Sequence, residues 1–223
     1  MSVPATRPPT GEPLVGRVVR LDPMSVHDAP GLFAVFADPA VYAQGFRMLE
    51  PFTEPAQAER LVAAYRAARP GRTAYTLRLV ADGDLGRAGA VVGTSSLGDV
   101  DVVNQQVHLG WTTYGSRWWG TAVNPEAKLL LLSHVFEDCG FGRVRIQTDV
   151  VNERSQAAIL RLGAVREGVL RRLVRRADGS WRDTVVYSIL RDEWPGVRAG
   201  LEARLRATPG ARPARLPGTG SPH

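Results

Sequence analysis

The sequence is poor in cysteine, with Cys139 as the single thiol among 223 residues. One thiol excludes an internal disulfide and argues against a zinc site built from four protein ligands, so we predict no metal. This cysteine usage favours a reducing compartment, and the cytoplasm is the location we expect. The sequence also lacks any apolar run near the roughly 20 residues that cross a bilayer, and its first residues lack the apolar core of a signal peptide. We therefore expect no membrane association.

Excess charge is also small. The 28 Lys and Arg residues oppose 22 Asp and Glu residues, which leaves a formal net charge of +6. The densest basic stretch, residues 166–176, alternates five arginines with apolar residues. That mixture is typical of a strand with one solvated face, whereas a nucleic-acid footprint needs a clustered stripe with interleaved aromatics. We therefore do not expect nucleic acid as a partner.

Composition and periodicity indicate one domain. The hydrophobic fraction is 44%, as in soluble globular proteins. We predict a flexible arm at residues 1–13, a single domain at residues 14–206, and a disordered basic Pro/Gly tail at residues 207–223. Strands and helices alternate through the domain, which predicts an α/β fold with a mixed sheet of about seven strands flanked by helices in three layers.

Residues 107–163 carry the strongest functional signal. They predict a strand, a glycine-containing turn, an apolar helix, a second strand and a second helix. In the turn, Gly120 and Ala122 are small enough for backbone N–H groups to approach a ligand closely. The helix that follows directs the positive end of its dipole into the turn, which makes the turn a candidate pyrophosphate site. An ordinary strand–helix connection is the alternative.

Several segments together resemble the GCN-related N-acetyltransferase (GNAT) superfamily. Arg117-x-x-Gly120-x-Ala122 resembles the family's pyrophosphate loop, and residues 152–155 with residues 162–164 resemble its segment after the fifth strand. Further segments are similar to the RimJ/RimL-like branch, at residues 110–112, 124–128, 167–171, 182–188 and 193–195. The resemblance covers roughly residues 14–206.

The resemblance implies direct transfer of an acetyl group from acetyl-CoA to a primary amine in a ternary complex. It also implies that the fourth and fifth strands are parallel neighbours that splay apart and admit the pantetheine arm. The residues that it places at the coenzyme are Leu109, Trp111, Arg117, Trp119, Gly120, Thr121, Ala122, Asn152 and Ser155.

The proton-transfer groups depart from the family pattern. His108 stands where the family carries a glutamate, and a histidine with a pKa within about one unit of 6.5 can accept a proton near neutrality. A buried structural histidine, with water as the base, is the alternative. The position of the family's tyrosine acid holds Ile159, so Ser155 becomes the candidate donor to the leaving thiolate; helix capping is its alternative role.

The acceptor amine is not identified by the sequence. A protein N-terminus and a small-molecule amine are both compatible with it, and the first two helices with their connection supply the candidate lining, namely Tyr42, Phe46, Arg47 and Phe52. Trp118 and Trp119 either cover the coenzyme or pack a homodimer face. Because two catalytic positions differ from the family, a CoA-binding sensor or interaction module without turnover is the alternative function.

Overall fold

A computed structural model describes residues 5–43, 49–67, 71–176 and 178–208. Eight strands form one sheet in the spatial order β1-β2-β3-β4-β5-β6-β8-β7. Their bounds are β1 Leu14–Val15, β2 Val19–Pro23, β3 Thr73–Leu79, β4 Val91–Asp101, β5 Gln106–Tyr114, β6 Arg143–Asp149, β7 Val165–Arg175 and β8 Trp181–Leu190.

Within the described ranges, six α-helices flank the sheet. They are α1 Ala29–Phe36, α2 Pro39–Ala43, α3 Pro55–Arg66, α4 Val123–Ser133, α5 Glu153–Leu160 and α6 Trp194–Ala207. A 3₁₀ turn at Val26–Asp28 leads into α1, and the side chain of Ser25 caps its start by accepting a hydrogen bond from the backbone N–H of His27. A π turn at His134–Asp138 extends α4.

The sheet consists of two antiparallel halves joined by one parallel pair. Strands β1 to β5 pair antiparallel in chain order, and β6 pairs antiparallel with β8, which pairs with β7. Only β5 and β6 run parallel. The mixed, three-layer fold predicted from the sequence is confirmed. The eighth strand is β1, a two-residue strand too short to show a periodicity.

Two cores lie on opposite faces of the sheet. Leu131 and Leu132 of α4 are fully buried with Leu109 of β5 in the larger core, which α6 also joins. The smaller core packs α1 on α3, and its members Leu32 and Phe36 are fully buried. Burying one such side chain stabilises the fold by about 1.5–3 kcal/mol. Both faces of the sheet are thus covered, and α4 is fixed beneath β5.

Glu126 of α4 holds the connection between β1 and β2. Its carboxylate accepts hydrogen bonds from the backbone N–H groups of Arg17, Val18 and Val19, at 2.9, 2.6 and 2.7 Å. A Cβ on Gly16 would lie 2.5 Å from the same carboxylate, so glycine is needed there. This buried charge is stabilised by backbone donors rather than by a cation, and it locks α4 to the edge of the sheet.

The segment before β1 contacts the far end of α4. The hydroxyl of Thr6 donates to the carbonyl of Gly140, and the backbone N–H of Arg7 donates to the carbonyl of Cys139, both at 2.9 Å. The domain boundaries predicted from the sequence remain predictions. None of the helices in the described ranges is long and apolar enough to cross a bilayer.

Candidate active site

The parallel pair β5–β6 opens into a wedge. The two strands pair only where Gln106, Val107 and His108 face residues 143–145, although β5 continues to Tyr114 and β6 to Asp149. A β-bulge in β5 lies just beyond the paired part, where residues 110–113 oppose residues 94–96 and Trp111 has a φ of 51°. Because a bulge bends its strand, β5 leaves β6 here. The splay predicted between these two strands is confirmed.

The loop after β5 turns at a glycine and leaves the approach to its backbone open. Gly120 has a φ of 73°, and a Cβ built on it would meet no atom within 4 Å. The hydroxyl of Thr121 donates to the carbonyl of Trp118 at 2.7 Å and accepts from the backbone N–H of Val123 at 3.3 Å. Arg117 is exposed beside this turn. The first N–H groups of a helix lack intrahelical partners. At the start of α4 the N–H of Val123 donates to Thr121 and Pro125 has no N–H, which leaves the N–H of Asn124 as a donor to offer. Binding by this loop stays a prediction.

The start of α5 meets that loop. Asn152 caps α5 by accepting a hydrogen bond from the backbone N–H of Ser155 at 3.0 Å. The guanidinium carbon of Arg154 lies 3.3 Å from the ring centroid of Trp119, whose indole N–H donates to the carbonyl of Tyr114. The two motifs recognised in the sequence therefore lie together at the open end of the wedge.

His108 lies in β5 at the last residue paired with β6. Its side chain is only 4% exposed, and its ring centroid lies 4.7 Å from that of Trp111. A Cβ on Gly110 would lie 2.6 Å from His108 Nε2, so the glycine makes room for the imidazole. Asp99 Oδ2 lies 3.5 Å from Nδ1, beyond good hydrogen-bond distance. Neither ring nitrogen has a hydrogen-bond partner among the described residues.

The pKa of His108 differs from the value that we expected from the sequence. Burial, together with the charges of Arg145 and Arg182, lowers its pKa to about 4, and the Asp99 carboxylate opposes this shift. The prediction of a pKa within about one unit of 6.5 is wrong, because the sequence does not show the burial or the two arginines. The imidazole is uncharged at neutral pH and can accept a proton, but it is a weak base.

The remaining candidate residues have structural contacts. The hydroxyl of Tyr42 donates to the carbonyl of Phe36 at 2.8 Å, and Phe52 stacks on Phe36 with centroids 5.2 Å apart. Phe46 and Arg47 lie outside the described residues. Ile159 is 8% exposed in the larger core, and burial of this apolar side chain accounts for its place in α5. These contacts leave the acceptor lining a prediction.

Lys128, the single lysine of the sequence, was missed by sequence reasoning. It is 8% exposed in α4, and its Nζ donates to Thr112 Oγ1 at 3.0 Å, within the bulge of β5. That hydroxyl also lies 2.7 Å from Ser95 Oγ. Burial lowers the pKa of Lys128 to about 7. Helical spacing was the available signal, because Lys128 lies three and four residues before the buried Leu131 and Leu132.

Cys139 is not an activated nucleophile. Its Sγ lies 3.4 Å from His134 Nε2, and His134 Nδ1 lies 3.0 Å from Asp138 Oδ2. Burial nevertheless raises the pKa of the thiol to about 11, so the thiolate is scarce at neutral pH. Within the described ranges, no three His, Cys, Asp or Glu side chains are grouped so that they could hold a metal ion.

Comparison with known families decides the classification. The model of the acetyltransferase (GNAT) domain matches residues 19–165. The chain belongs to the GNAT acetyltransferase family. The family assigned from the sequence motifs is confirmed, and it is a family of acetyltransferases.

Individual relatives of this GNAT protein also carry the names of acetyltransferases or share their fold. YdaF of Bacillus subtilis (strain 168), named as a candidate ribosomal N-acetyltransferase, is 32% identical over 108 residues, which are 48% of this chain and 58% of that protein. A candidate acetyltransferase of T. thermophilus is 39% identical with a TM-score of 0.75, covering 87% and 97% of the two chains. Mycobacterium smegmatis RimJ, solved with CoA-disulfide, shares the fold at 23% identity and a TM-score of 0.66, covering 86% and 92%. This likeness to RimJ shows the fold alone, and the RimJ/RimL-like branch stays a prediction.

Proposed function

We propose that this GNAT protein transfers the acetyl group of acetyl-CoA directly to a primary amine while both substrates are bound. One observation carries the proposal: β5 and β6 separate after three paired residues, and the Gly120 loop and the start of α5 meet at the open end. A strand edge left open by such a gap offers backbone groups to an extended polar ligand. The pantetheine arm, with its two amides, is such a ligand.

The residues present fit acetyl-CoA as a substrate. The loop with Arg117, Gly120, Thr121 and Ala122 takes the pyrophosphate, because Gly120 leaves the approach open and α4 begins there. Leu109 and Trp111 offer their backbone to the pantetheine along β5. Asn152, Ser155 and Trp119 border the other side of the opening.

For this reaction the protein has to position the two substrates and to accept one proton. The amine nitrogen attacks the thioester carbonyl, a C–N bond forms, the C–S bond breaks, and the thiolate of CoA leaves. His108 is uncharged at neutral pH and takes the proton that the amine releases. Its low pKa keeps water as the alternative base. Ser155 donates a hydrogen bond to the leaving thiolate.

The acceptor remains a primary amine of a protein N-terminus or of a small molecule. The name given to YdaF favours a protein acceptor, while the lining with Tyr42, Phe46, Arg47 and Phe52 is compatible with either. The proposal also includes a homodimer, a cytoplasmic location, a domain at residues 14–206, and a tail at residues 208–223 that is dispensable for folding and turnover.

Initial-rate kinetics test the proposal. Acetyl-CoA and each member of an amine panel are varied together, and mass spectrometry identifies the acetylated product. A ternary complex gives intersecting double-reciprocal lines. Parallel lines would indicate an acetyl-enzyme intermediate and would contradict direct transfer.

A CoA-binding sensor without turnover is the second candidate. The buried Ile159 at the acid position and the low pKa of His108 favour it, because neither group is a strong proton-transfer catalyst. Stabilisation by acetyl-CoA without acetylation of any amine in the panel would support the sensor.

A further inference from the structure

Polar groups without hydrogen-bond partners lie on four neighbouring strands, β4, β5, β6 and β8, within the part of the chain that the structure describes. Among the described residues these buried atoms have no hydrogen-bond partner, and they are Ser96 Oγ, both ring nitrogens of His108, Arg145 Nε, Arg182 Nε and Thr184 Oγ1. Ser96 and Thr184 are fully buried. Buried polar groups in native proteins are nearly always paired, so these groups are candidates to bind a polar ligand.

These groups share one face of the sheet. Side chains alternate along a strand, and the neighbours Leu97, Leu109, Val144 and Val185 all belong to the larger core under α4 and α6. The unpartnered groups therefore project to the opposite face, where α1 and α3 pack. The register places His108 beside Arg145 across the β5–β6 pair, at the last paired position before the wedge opens.

The charge on this face is unbalanced. Arg182 has no ion pair within the part of the chain that the structure describes, and burial lowers its pKa. Arg145 binds Asp99 through Nη2 at 2.6 Å, which leaves its Nε unused. The nearby Asp149 carboxylate is occupied by Arg176 through two hydrogen bonds of 2.6 and 2.7 Å.

One further cation lies close to His108. The guanidinium carbon of Arg72 is 4.2 Å from the ring centroid of Trp111, and this ring packs against the imidazole. The charges of Arg145 and Arg182 act on His108, and Arg72 lies behind Trp111. Asp99, which is 57% exposed, is the one carboxylate beside the imidazole among the described residues. An amine that arrives as an ammonium ion is repelled by this surface unless it brings a negative charge.

We propose that the acceptor amine carries a carboxylate, which Arg145 and Arg182 bind while the amine faces His108. The inference rests on the proposed function and narrows its substrate class to anionic amines. A guanidinium offers paired N–H donors that match a carboxylate, and the Ser96 and Thr184 hydroxyls are further donors on the same face. The carboxylate can come from a small amino acid or from an acidic residue at the start of a peptide.

Binding of a carboxylate also raises the pKa of His108, the candidate base. The charged groups that face His108 are Asp99 from β4, Arg145 from β6 and Arg182 from β8, with Arg72 behind Trp111. A bound carboxylate offsets the two arginines, so the pKa of His108 rises in the complex. The acid limb of kcat, which reports the complex, then lies at higher pH than the acid limb of kcat/KM, which reports the free enzyme.

Matched acceptor pairs test the inference on the wild-type protein. One pair is β-alanine against its amide, and the other is a peptide beginning with aspartate against the same peptide beginning with asparagine. We expect kcat/KM to be higher for the anionic member by roughly tenfold or more, the usual value of a charge-assisted contact. The pair that shows the larger ratio identifies the source of the carboxylate.

Substitutions test whether Arg182 causes the preference for the anionic acceptor. Arg182→Gln should bring the ratio close to one, and Arg182→Lys should retain part of it. Arg171→Gln, at an exposed position of β7, is the matched control and should leave the ratio unchanged. Melting curves of each variant separate a loss of folding from a loss of preference.

Two outcomes would overturn the inference. Equal kcat/KM for both members of each pair would reject the anionic acceptor and leave the acetyltransferase proposal intact. An Arg182→Gln variant whose KM rises for acetyl-CoA but not for 3′-dephospho-acetyl-CoA would assign the arginine to the coenzyme. Acetylation of no amine at all would reject the proposed function itself, and the inference with it.

Discussion

Arg154 stacks on Trp119, with the guanidinium carbon 3.3 Å from the ring centroid. The two residues belong to segments that flank the wedge on opposite sides, Arg154 in the first turn of α5 and Trp119 in the loop before α4. Their contact is the link between the two sequence motifs of the coenzyme site. The width of the opening therefore depends on a contact between two residues whose proximity the sequence did not predict.

Arg154→Ala should weaken acetyl-CoA binding about two- to fivefold. A cation–π contact at a partly exposed site contributes about 0.5–1 kcal/mol, and its loss frees the loop relative to α5. Isothermal titration with acetyl-CoA measures the effect. Arg161→Ala, an exposed arginine just after the same helix, is the control. An unchanged dissociation constant in Arg154→Ala would show that the contact does not shape the site.

Gly120→Val should abolish stabilisation by acetyl-CoA. For the wild type, a ligand at a hundredfold excess over its dissociation constant adds about 2.7 kcal/mol to the free energy of unfolding. Valine fills the open approach to the loop and is also strained at a φ of 73°. Thermal shift with and without acetyl-CoA measures the loss.

Gly179→Val controls for backbone strain, because Gly179 has a φ of 80° and equally open surroundings. Both variants should melt lower than the wild type without ligand. If Gly120→Val still showed the wild-type shift with acetyl-CoA, the coenzyme would lie elsewhere.

His108→Ala should lower turnover by roughly 10²–10⁴-fold and leave acetyl-CoA binding in place. In the wild type the acid limb of kcat/KM should lie near pH 4, since the pKa of His108 in the free enzyme is lowered to about 4. Rates measured from below this value to neutral pH, corrected for folded fraction, give both effects. The exposed His27→Ala is the control. Turnover that survives His108→Ala at the wild-type rate per folded molecule would assign the proton to water.

Lys128→Met should remove a pH dependence from stability. The pKa of Lys128 is about 7 when folded and about 10.5 when unfolded, so the unfolded state binds more protons between these values. Wild-type stability should therefore rise from about pH 7 to about pH 10.5, and below pH 7 the full cost of burying the charge remains. Urea unfolding of both proteins across this range gives the difference. A difference that does not change with pH would place Lys128 in a more solvated site.

The secondary structure and the loop of the candidate site could be predicted from the sequence. The alternation of strands and helices predicted the mixed sheet, and the order of a strand, the Gly120 loop and an apolar helix was predicted at residues 107–163. These signals are local, because backbone conformation and amphipathic periodicity depend on neighbouring residues. The recognised motifs added the family and the splayed sheet.

The charge state of the site was decided only by the tertiary structure. Arg145 and Arg182 come from β6 and β8, and Asp99 from β4, so their positions around His108 depend on the order and register of four strands. Burial of His108 and Lys128 depends on helices packed over the sheet from distant parts of the chain. A pKa is set by solvent exclusion and by nearby charges, and both are properties of the folded surroundings rather than of the residue. The sequence by itself therefore determined the elements, the loop and the family, whereas the fold alone decided which cations surround the candidate base.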